Sequence, residues 1–527
     1  MGSNKVNLTR FYNTLRYLKP IQVFYQVWYR LLKKLKNQSG MLIKAPTSTY
    51  LEVEFIPINP KTYLKNNSFC FLNIPHTFSN QIEWNISKYG KLWTYNLSYF
   101  EFLNQPSISR EDGMSKIKEF ASGYNWIKDG LDPYPSSLRI INCIKFIANH
   151  NILDKEIDDL VYSDLQRLSN NIEYHILANH LLENVFALLF GSIYFRDDKL
   201  YRKAANLVKQ QLEEQILEDG GHYELSPMYH SIILFRLLDT IQLLNNSNKV
   251  NDEIVGFIKM KASMMLSWIS MIQFKNGDLP MVNDCSIGIT ITPDLLLNYG
   301  EKLSLLNLKI PLGSSGYRKN VVDKFELFLD IGNIKPSYQP GHNHSDTFNT
   351  LLYYSEKPIL VDSGTSTYED NAVRAYERST LSHNTVSINK QNSSQIWGSF
   401  RVGNRANIIF CEEEDSKIRA QHNGFQKYDI VHERIWSWTK NVIIIEDYLS
   451  KRSDAQAFFH FYPSIQLKQI SGTCFEVKES LNFTFEGAKK ILVEASEIAV
   501  GFNHRVTSQK LTVEFDHFLK TRIEEIS

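Results

Sequence analysis

Two histidines one residue apart, His342 and His344, stand in Gly341-His342-Asn343-His344-Ser345-Asp346. In extended backbone, residues i and i+2 face the same way, so both imidazoles share one side. A carboxylate follows at Asp362, and His383 stands beside Asn384 and Thr385. Two imidazoles and a carboxylate are the donor set of a divalent-metal site, and a remaining imidazole is then free to move protons. The bland reading, ordinary polar loop residues, competes with this because such pairs are common.

A second group precedes it. In Ala178-Asn179-His180-Leu181-Leu182-Glu183-Asn184-Val185-Phe186, polar residues recur at i, i+1, i+4 and i+5. At about 100° per residue they share one arc of a helix otherwise apolar. Burying Asn179, His180 and Glu183 is costly unless each has a partner. A polar-lined cleft accounts for them, and so does a hydrogen-bonded brace between helices. Next comes Asp219-Gly220-Gly221-His222-Tyr223-Glu224-Leu225-Ser226-Pro227-Met228-Tyr229-His230. Asp-Gly-Gly predicts a turn, and Ser226-Pro227 predicts a helix start. Tyr229 and His230 then occupy the first turn, where the helix dipole favours a phenolate. Trp93, Tyr95, Tyr134 and Arg139 lie near predicted helix starts; they suit stacking on sugars and gripping an acid, or simply core packing and an ion pair. Arg374 and Arg378, four apart, suit bidentate recognition of carboxylate or sulfate, or pairing with Glu369, Asp370 or Glu377.

The elements that must position these residues change character along the chain. Helical spacing runs through Leu138 to Ala148, Ile172 to Phe195, Leu200 to Leu217, Ser231 to Leu244 and Val255 to Ile272. No fixed repeat appears, but paired helices around an axis are compatible with the pattern. Gly277-Asp278-Leu279-Pro280 and Asn283-Asp284-Cys285 read as a turn-rich loop closing this part. After about Gly316 the period shifts toward two, with short strands such as Phe325–Asp330, Thr347–Tyr354, Ile359–Val361, Thr385–Ile388 and Ala457–Tyr462. The expected fold is multidomain α+β, helices first and stacked antiparallel sheets second. The expected divisions are 1–45, 46–315 and 316–527.

Composition bounds the function. With 527 residues the chain exceeds one core, and 43% hydrophobic with 22% charged residues is globular. A net charge of +1 argues against nucleic acid as partner. Five scattered cysteines with no Cys-x-x-Cys pair argue against a thiolate metal site or disulfide framework. No run is apolar enough to span a bilayer, and Leu8 to Leu35 lacks a signal-peptide core. Val6 occupies the position where N-myristoylation needs Ser or Thr. These readings favour the cytoplasm. The first forty residues carry Lys5, Arg10, Arg16, Lys19, Arg30, Lys33, Lys34 and Lys36 among aromatics and no Asp or Glu. Such a segment suits peripheral contact with an anionic membrane, or packs on its own domain through its aromatic side.

Taken together, Asn179-His180-x-x-Glu183, the Asp219–His230 segment, Gly341-His-x-His-x-Asp346, Val361-Asp-x-Gly364 and Arg374-x-x-x-Arg-Ser-Thr-x-x-His383-Asn-Thr385 resemble the heparinase II/III family of polysaccharide lyases. The likeness spans roughly residues 90 to 460 and is specific in its joint order. It implies an N-terminal α/α toroid, an incomplete helical barrel, followed by antiparallel sheets, with the cleft between them. It implies cleavage of acidic polysaccharides by β-elimination, which needs a neutralised uronate carboxylate, a base for the C5 proton and an acid for O4. By this resemblance Tyr229 and His342 are the proton-transfer pair. Asn179 and His180 neutralise the carboxylate, and Glu183 assists. Trp93, Tyr95, Tyr134, Arg139, Glu224, His230, Arg374 and Arg378 are placed with the substrate. His344, Asp362 and His383 hold a structural divalent metal, zinc being the first choice.

The basic aromatic leader, with no export signal beside it, suggests action on a surface polysaccharide during its synthesis. A uronate C5-epimerase shares the carbanion chemistry, and a non-catalytic glycan-binding or assembly protein shares the fold.

Overall fold

A computed structural model describes residues 8–35, 40–247, 252–478 and 480–526. Of the basic N-terminal residues, Lys5 and Lys36 lie outside the described residues. Up to Lys302 the regular elements are helices, apart from the small hairpin Ser68–Phe71/Ile74–Thr77, and antiparallel strands follow from Tyr317. The fold is the multidomain α+β arrangement expected.

In the helical half, Pro133–Asn149 packs on Lys155–Ser169 and Ala178–Tyr194, and Pro227–Asn245 packs on Asp252–Ile272, so successive helices pair around the toroid. The helix expected from Ile172 begins only at Ala178, because Leu177 (φ 66°) and Ala178 (φ 54°) lie in the left-handed region and break the turn before it. The helix from Pro227 starts where the capping residues place it: Ser226 Oγ accepts from Tyr229 N at 3.3 Å, with Pro227 in the first position. The expectation that no segment could span a bilayer needs one amendment. Asp252–Ile272 is long and apolar enough by length and composition. Here it serves the core, with Ile258, Met265, Trp268 and Ile269 fully buried.

Strands form an eight-stranded sheet that runs in space from Ile408–Glu414 to Leu467–Gln469, and two four-stranded sheets. One of the smaller sheets joins the halves. It holds Tyr317–Val322, Phe325–Asp330, Thr350–Tyr354 and Lys357–Leu360. Side chains alternate across a strand, and here both faces are buried. Phe328, Leu351 and Tyr353 enter the helical core, while Phe325, Leu327, Leu329, Leu352 and Tyr354 enter the core between the sheets. Each such burial stabilises by about 1.5–3 kcal/mol, so this sheet fixes how the two halves meet. The loop that carries the two histidines, 341–346, leaves this sheet between its second and third strands.

Candidate active site

A cleft of about 490 Å³ lies between the helical ring and the sheets. From the helical side come Tyr95, Tyr134, Asn179, His180, Glu224 and Tyr229; from the other side come His342, Tyr368 and Phe400. The phenol and the imidazole meet directly: the ring centroids of Tyr229 and His342 are 3.9 Å apart and the planes differ by 31°.

Local bonds explain this convergence. Asp284 N donates to His342 O at 3.0 Å, and His344 N donates to Asn283 Oδ1 at 2.9 Å. Ser226 Oγ, the cap of the Tyr229 helix, donates to Asp284 O at 2.6 Å, and Asn283 Nδ2 donates to Leu225 O at 3.0 Å. The Asn283-Asp284 loop therefore ties the helix start to the histidine loop. Sequence reading treated this loop as a turn. A carboxylate 58 residues before His342 carried no local signal of its importance.

Asp284 is the electrostatic centre. Its side chain is fully buried and binds His342 Nδ1 and His344 Nε2, each at 2.9 Å. Arg374 binds it with both terminal nitrogens, Nη2 at 2.8 Å from Oδ2 and Nη1 on Oδ1. Burial pushes the Asp284 carboxyl up, but Arg374 and then the two histidines overcome this and hold it well below the usual range. An ionised carboxylate only accepts, so His342 Nδ1 must be its donor. A neutral His342 then presents the bare Nε2 lone pair, 3.9 Å from Glu224 Oε2. Tyr229 is shifted the other way: burial first, then Asp284 and Glu224, raise the phenol well above its ordinary value, so at rest it is protonated. Its hydroxyl is 3.2 Å from that of Tyr368, a residue no motif singled out.

Across the cleft, Asn179 Nδ2 donates to both oxygens of Glu224, at 3.0 and 2.8 Å, so each occupies the other. His180 keeps 32% of its side chain exposed, lies 3.1 Å from Glu173 Oε1 and has Tyr134 over its ring at 4.5 Å. Burial alone lowers its pKa; Glu173, with Glu224 and Glu183 behind it, reverses this and leaves it above the ordinary imidazole value. The surrounding carboxylates thus favour the charged form of His180, which faces the cleft. Tyr95 lines the wall with its hydroxyl on Asp132 Oδ2 at 2.6 Å.

Other expected site residues stand elsewhere. Glu183 is fully buried behind the cleft on Arg236 Nε at 2.9 Å, because the polar arc wraps far enough round the helix to face its neighbour. Trp93 is fully buried, its indole donating to Ile74 O at 3.1 Å, and cannot stack on a sugar. Arg139, also fully buried, binds Asp164 with Nε at 2.7 Å and Nη2 at 2.8 Å. His230 points away from the cleft to Met265 O at 3.0 Å, one helical residue being enough to turn it from Tyr229's side. Arg378 is buried on the carbonyls of Asn343 and Gly398, and Arg374 is spent on Asp284, so neither guanidinium is free for substrate.

The three expected metal ligands are buried neighbours. His344 and His383 have ring centroids 5.3 Å apart, and His383 Nδ1 is 2.7 Å from Asp362 Oδ2. Among the described residues no three His, Cys, Asp or Glu side chains stand gathered in ligand geometry. Both Asp362 oxygens already accept hydrogen bonds, Oδ2 from His383 and from Asn349 Nδ2, and Oδ1 from Gly364 N. Yet His344 Nδ1, His383 Nε2 and Asp346 Oδ2 are buried without a partner among the described residues, which is a donor set that suits a cation.

Residues 139–299 match the family model for the heparinase II/III N-terminus, and residues 308–524 match that for the heparinase II/III-like C-terminal part. A heparin-sulfate lyase of Bacteroides stercoris is 24% identical over 253 residues, which is 42% of this chain and 37% of that protein. The match therefore spans well under half of that curated relative. Among solved structures, heparinase III superposes with a TM-score of 0.65 at 15% identity, covering 100% of this chain and 93% of the other. The heparan sulfate lyase HepC from Pedobacter heparinus gives 0.57 at 12% identity, covering 96% and 88%. At these identities the superpositions establish the shared fold. With both halves of the chain matched in order, the protein belongs to the heparinase II/III family.

Proposed function

We propose that the protein is a polysaccharide lyase that breaks a uronate-containing acidic polysaccharide by β-elimination. The observation that carries this reading is the 3.9 Å approach of Tyr229 and His342 inside a cleft that His180 also faces. His180 neutralises the uronate carboxylate, which makes the C5 proton acid enough to remove. His342 Nε2 takes that proton. The C5 electrons form the C4–C5 double bond, the C4–O4 bond breaks, and Tyr229 delivers its phenolic proton to O4. The adjacent imidazolium then returns a proton to the phenolate. Asn179 and Glu224 hold each other in the cleft wall, and Asp284 keeps His342 in the tautomer that can act as base.

The test is a panel of uronic-acid polysaccharides read at the ultraviolet absorbance of an unsaturated uronate. Growth of that signal is expected. Solvent deuterium at C5 without cleavage would replace the reading with a C5-epimerase. Binding with neither change would leave a glycan-binding protein.

His180 gives a pH signature. Its folded pKa lies above 6.5, so its charge is present at lower pH and is lost as pH rises through that raised value. An alkaline limb in kcat/KM above pH 6.5 is expected. His180→Gln should remove that limb and lower kcat/KM by about 10–100-fold, the loss of one charge-assisted hydrogen bond. An unmoved limb would assign it to another group.

We also propose a structural divalent cation, zinc by donor type, held by His344 and His383 with Asp346 or Asp362 completing the set. Its chemistry would be to cross-link the histidine loop to the sheets. Metal analysis should find about one equivalent per chain, and chelation or His344→Ala should lower the melting temperature along with activity. A metal-free preparation of unchanged melting temperature would remove the cation.

For location, we propose that the N-terminal helices rest on an anionic membrane, where the enzyme would meet a polysaccharide during its synthesis. Pro20–Leu35 packs inward through Tyr25 on Tyr174, at 4.8 Å, and through Tyr29, whose hydroxyl donates to Ile172 O at 2.6 Å. Its other side exposes Phe24, Val27, Trp28 and Leu31 in an i, i+3, i+4, i+7 stripe, with Arg30 also exposed. Flotation with vesicles rich in phosphatidylserine, lost in Trp28→Ser with Phe24→Ser, is the expected result. Equal recovery with and without vesicles would end the idea, as would finding the protein in culture supernatant or periplasm.

A further inference from the structure

A second cavity, of about 640 Å³, lies where Arg16 and Tyr17, just past the first helix (Leu8–Leu15), meet loops of the β half. Three cations reach it, Arg16, Arg405 and Lys427, and among the described residues no Asp or Glu lines it. The two guanidiniums flank one ring: Arg405 lies 3.8 Å from the Tyr17 centroid and Arg16 lies 4.8 Å from it. Arg16 also donates to Asn404 Oδ1 at 3.2 Å. Arg405 has no ion pair among the described residues, and its Nε is buried without a partner. Arg16 is exposed and Arg405 half-buried, so the two cations on either side of the Tyr17 ring make a local excess of positive charge that an anion would offset. Burial, and then Arg16, depress Arg405 to about 10, which agrees with the geometry.

Three amides of the same walls are oriented alike. Asn392 Oδ1 accepts from Thr380 N at 3.0 Å, and Asn423 Oδ1 accepts from Asn407 N at 2.9 Å. Gln395 Oε1 accepts from Asn13 Nδ2 at 3.4 Å and from Asn404 N at 3.3 Å. In each case the oxygen is spent on the protein, which leaves the NH₂ group to donate elsewhere. The cavity thus offers amide donors and three cations, beside the amide oxygens of Asn407 and Gln391. Its complement is a ligand rich in acceptors and negatively charged, and large enough to use several walls.

We propose that this cavity is a second binding site for an acidic sugar, one bearing a carboxylate or sulfate ester, separate from the catalytic cleft. That the sugar belongs to the polysaccharide cleaved in the cleft rests on the lyase reading above; the anion specificity does not. The two sites share one structural element. The hairpin Ile396–Trp397/Arg401–Val402 has Phe400 of its turn in the cleft and Gln395 at its base in the cavity. At most roughly 18 Å of extended chain separates those residues, so one polysaccharide can engage both and be held through successive cleavages.

The test uses the full-length Tyr229→Phe protein, in which bound glycan is not consumed, titrated calorimetrically. The probes are short uronate-only oligosaccharides, short sulfated uronate oligosaccharides, and inorganic sulfate and phosphate alone. Two classes of site are expected for one of the oligosaccharide sets. Adding Arg405→Gln should weaken one class by about tenfold and leave the other. Lys427→Gln, at an exposed position, should weaken the same class about threefold, and it remains informative if the arginine variant does not fold. A single class unmoved by either variant overturns the proposal. So does sulfate or phosphate alone binding as tightly as the oligosaccharides, which would make this a simple anion site. If no polysaccharide yields unsaturated product but the second class still responds to Arg405→Gln, the lyase reading fails and this one stands.

Discussion

Tyr229→Phe should lower turnover by about 10²–10⁴-fold, the usual contribution of a positioned proton donor, while the protein stays folded. The substitution removes one hydroxyl and leaves the ring against His342. Among the described residues the hydroxyl bonds Tyr368 alone, at 3.2 Å, and losing that bond costs about 0.5–1.5 kcal/mol. Substrate affinity in the cleft should change little, because the phenol proton matters chiefly as O4 departs. Steady-state kinetics beside a denaturant melt would check this. His344→Ala provides the contrast, since it empties a fully buried position on Asp284 and should cost stability as well as activity. Equal destabilisation in both variants, with residual turnover in Tyr229→Phe, would reduce Tyr229 to a packing residue.

Asp284→Asn should be still more damaging, in two separable ways. The carboxylate neutralises Arg374, which is itself buried, and accepts from two histidines. Removing one partner of a buried ion pair strands the other charge, at about 3–5 kcal/mol. The amide can also donate to His342 Nδ1, which would turn the ring to the tautomer with its proton on Nε2. A base with that nitrogen protonated cannot take the C5 proton, and losses on the order of 10⁴ follow from such a tautomer error in other enzymes. A melt would report the first effect. The second would appear as a fall in kcat that persists under conditions where the variant is fully folded. If kcat recovers in proportion to the folded fraction, Asp284 is structural only.

Asp284 also shows where sequence reading ends. The cap at Ser226-Pro227 and the first-turn position of Tyr229 were legible because capping depends on residues within three positions. The strand Phe325–Asp330 was legible because its apolar run has the right length and is bounded by turn residues. The strands Lys417–His422 and His432–Thr439 were missed: their charged and polar residues, such as Arg419, Glu433 and Arg434, mask the alternation that their burial obeys. Trp93, Arg139, His230 and Arg378 were read as substrate contacts because residue type speaks to chemistry and not to direction. Each has chemistry that a core can use equally well.

The order of elements, the helix start that carries Tyr229 and the pairing of His342 with His344 were set by local sequence, since backbone propensity and capping act over a few residues. Which side chains share a groove was decided only when the double-faced sheet locked the two halves and the Asn283-Asp284 loop stitched helix start to histidine loop. Those contacts join residues dozens of positions apart. Their partners are selected by burial and hydrogen-bond satisfaction in the folded chain, and a linear pattern does not encode that selection at any single position.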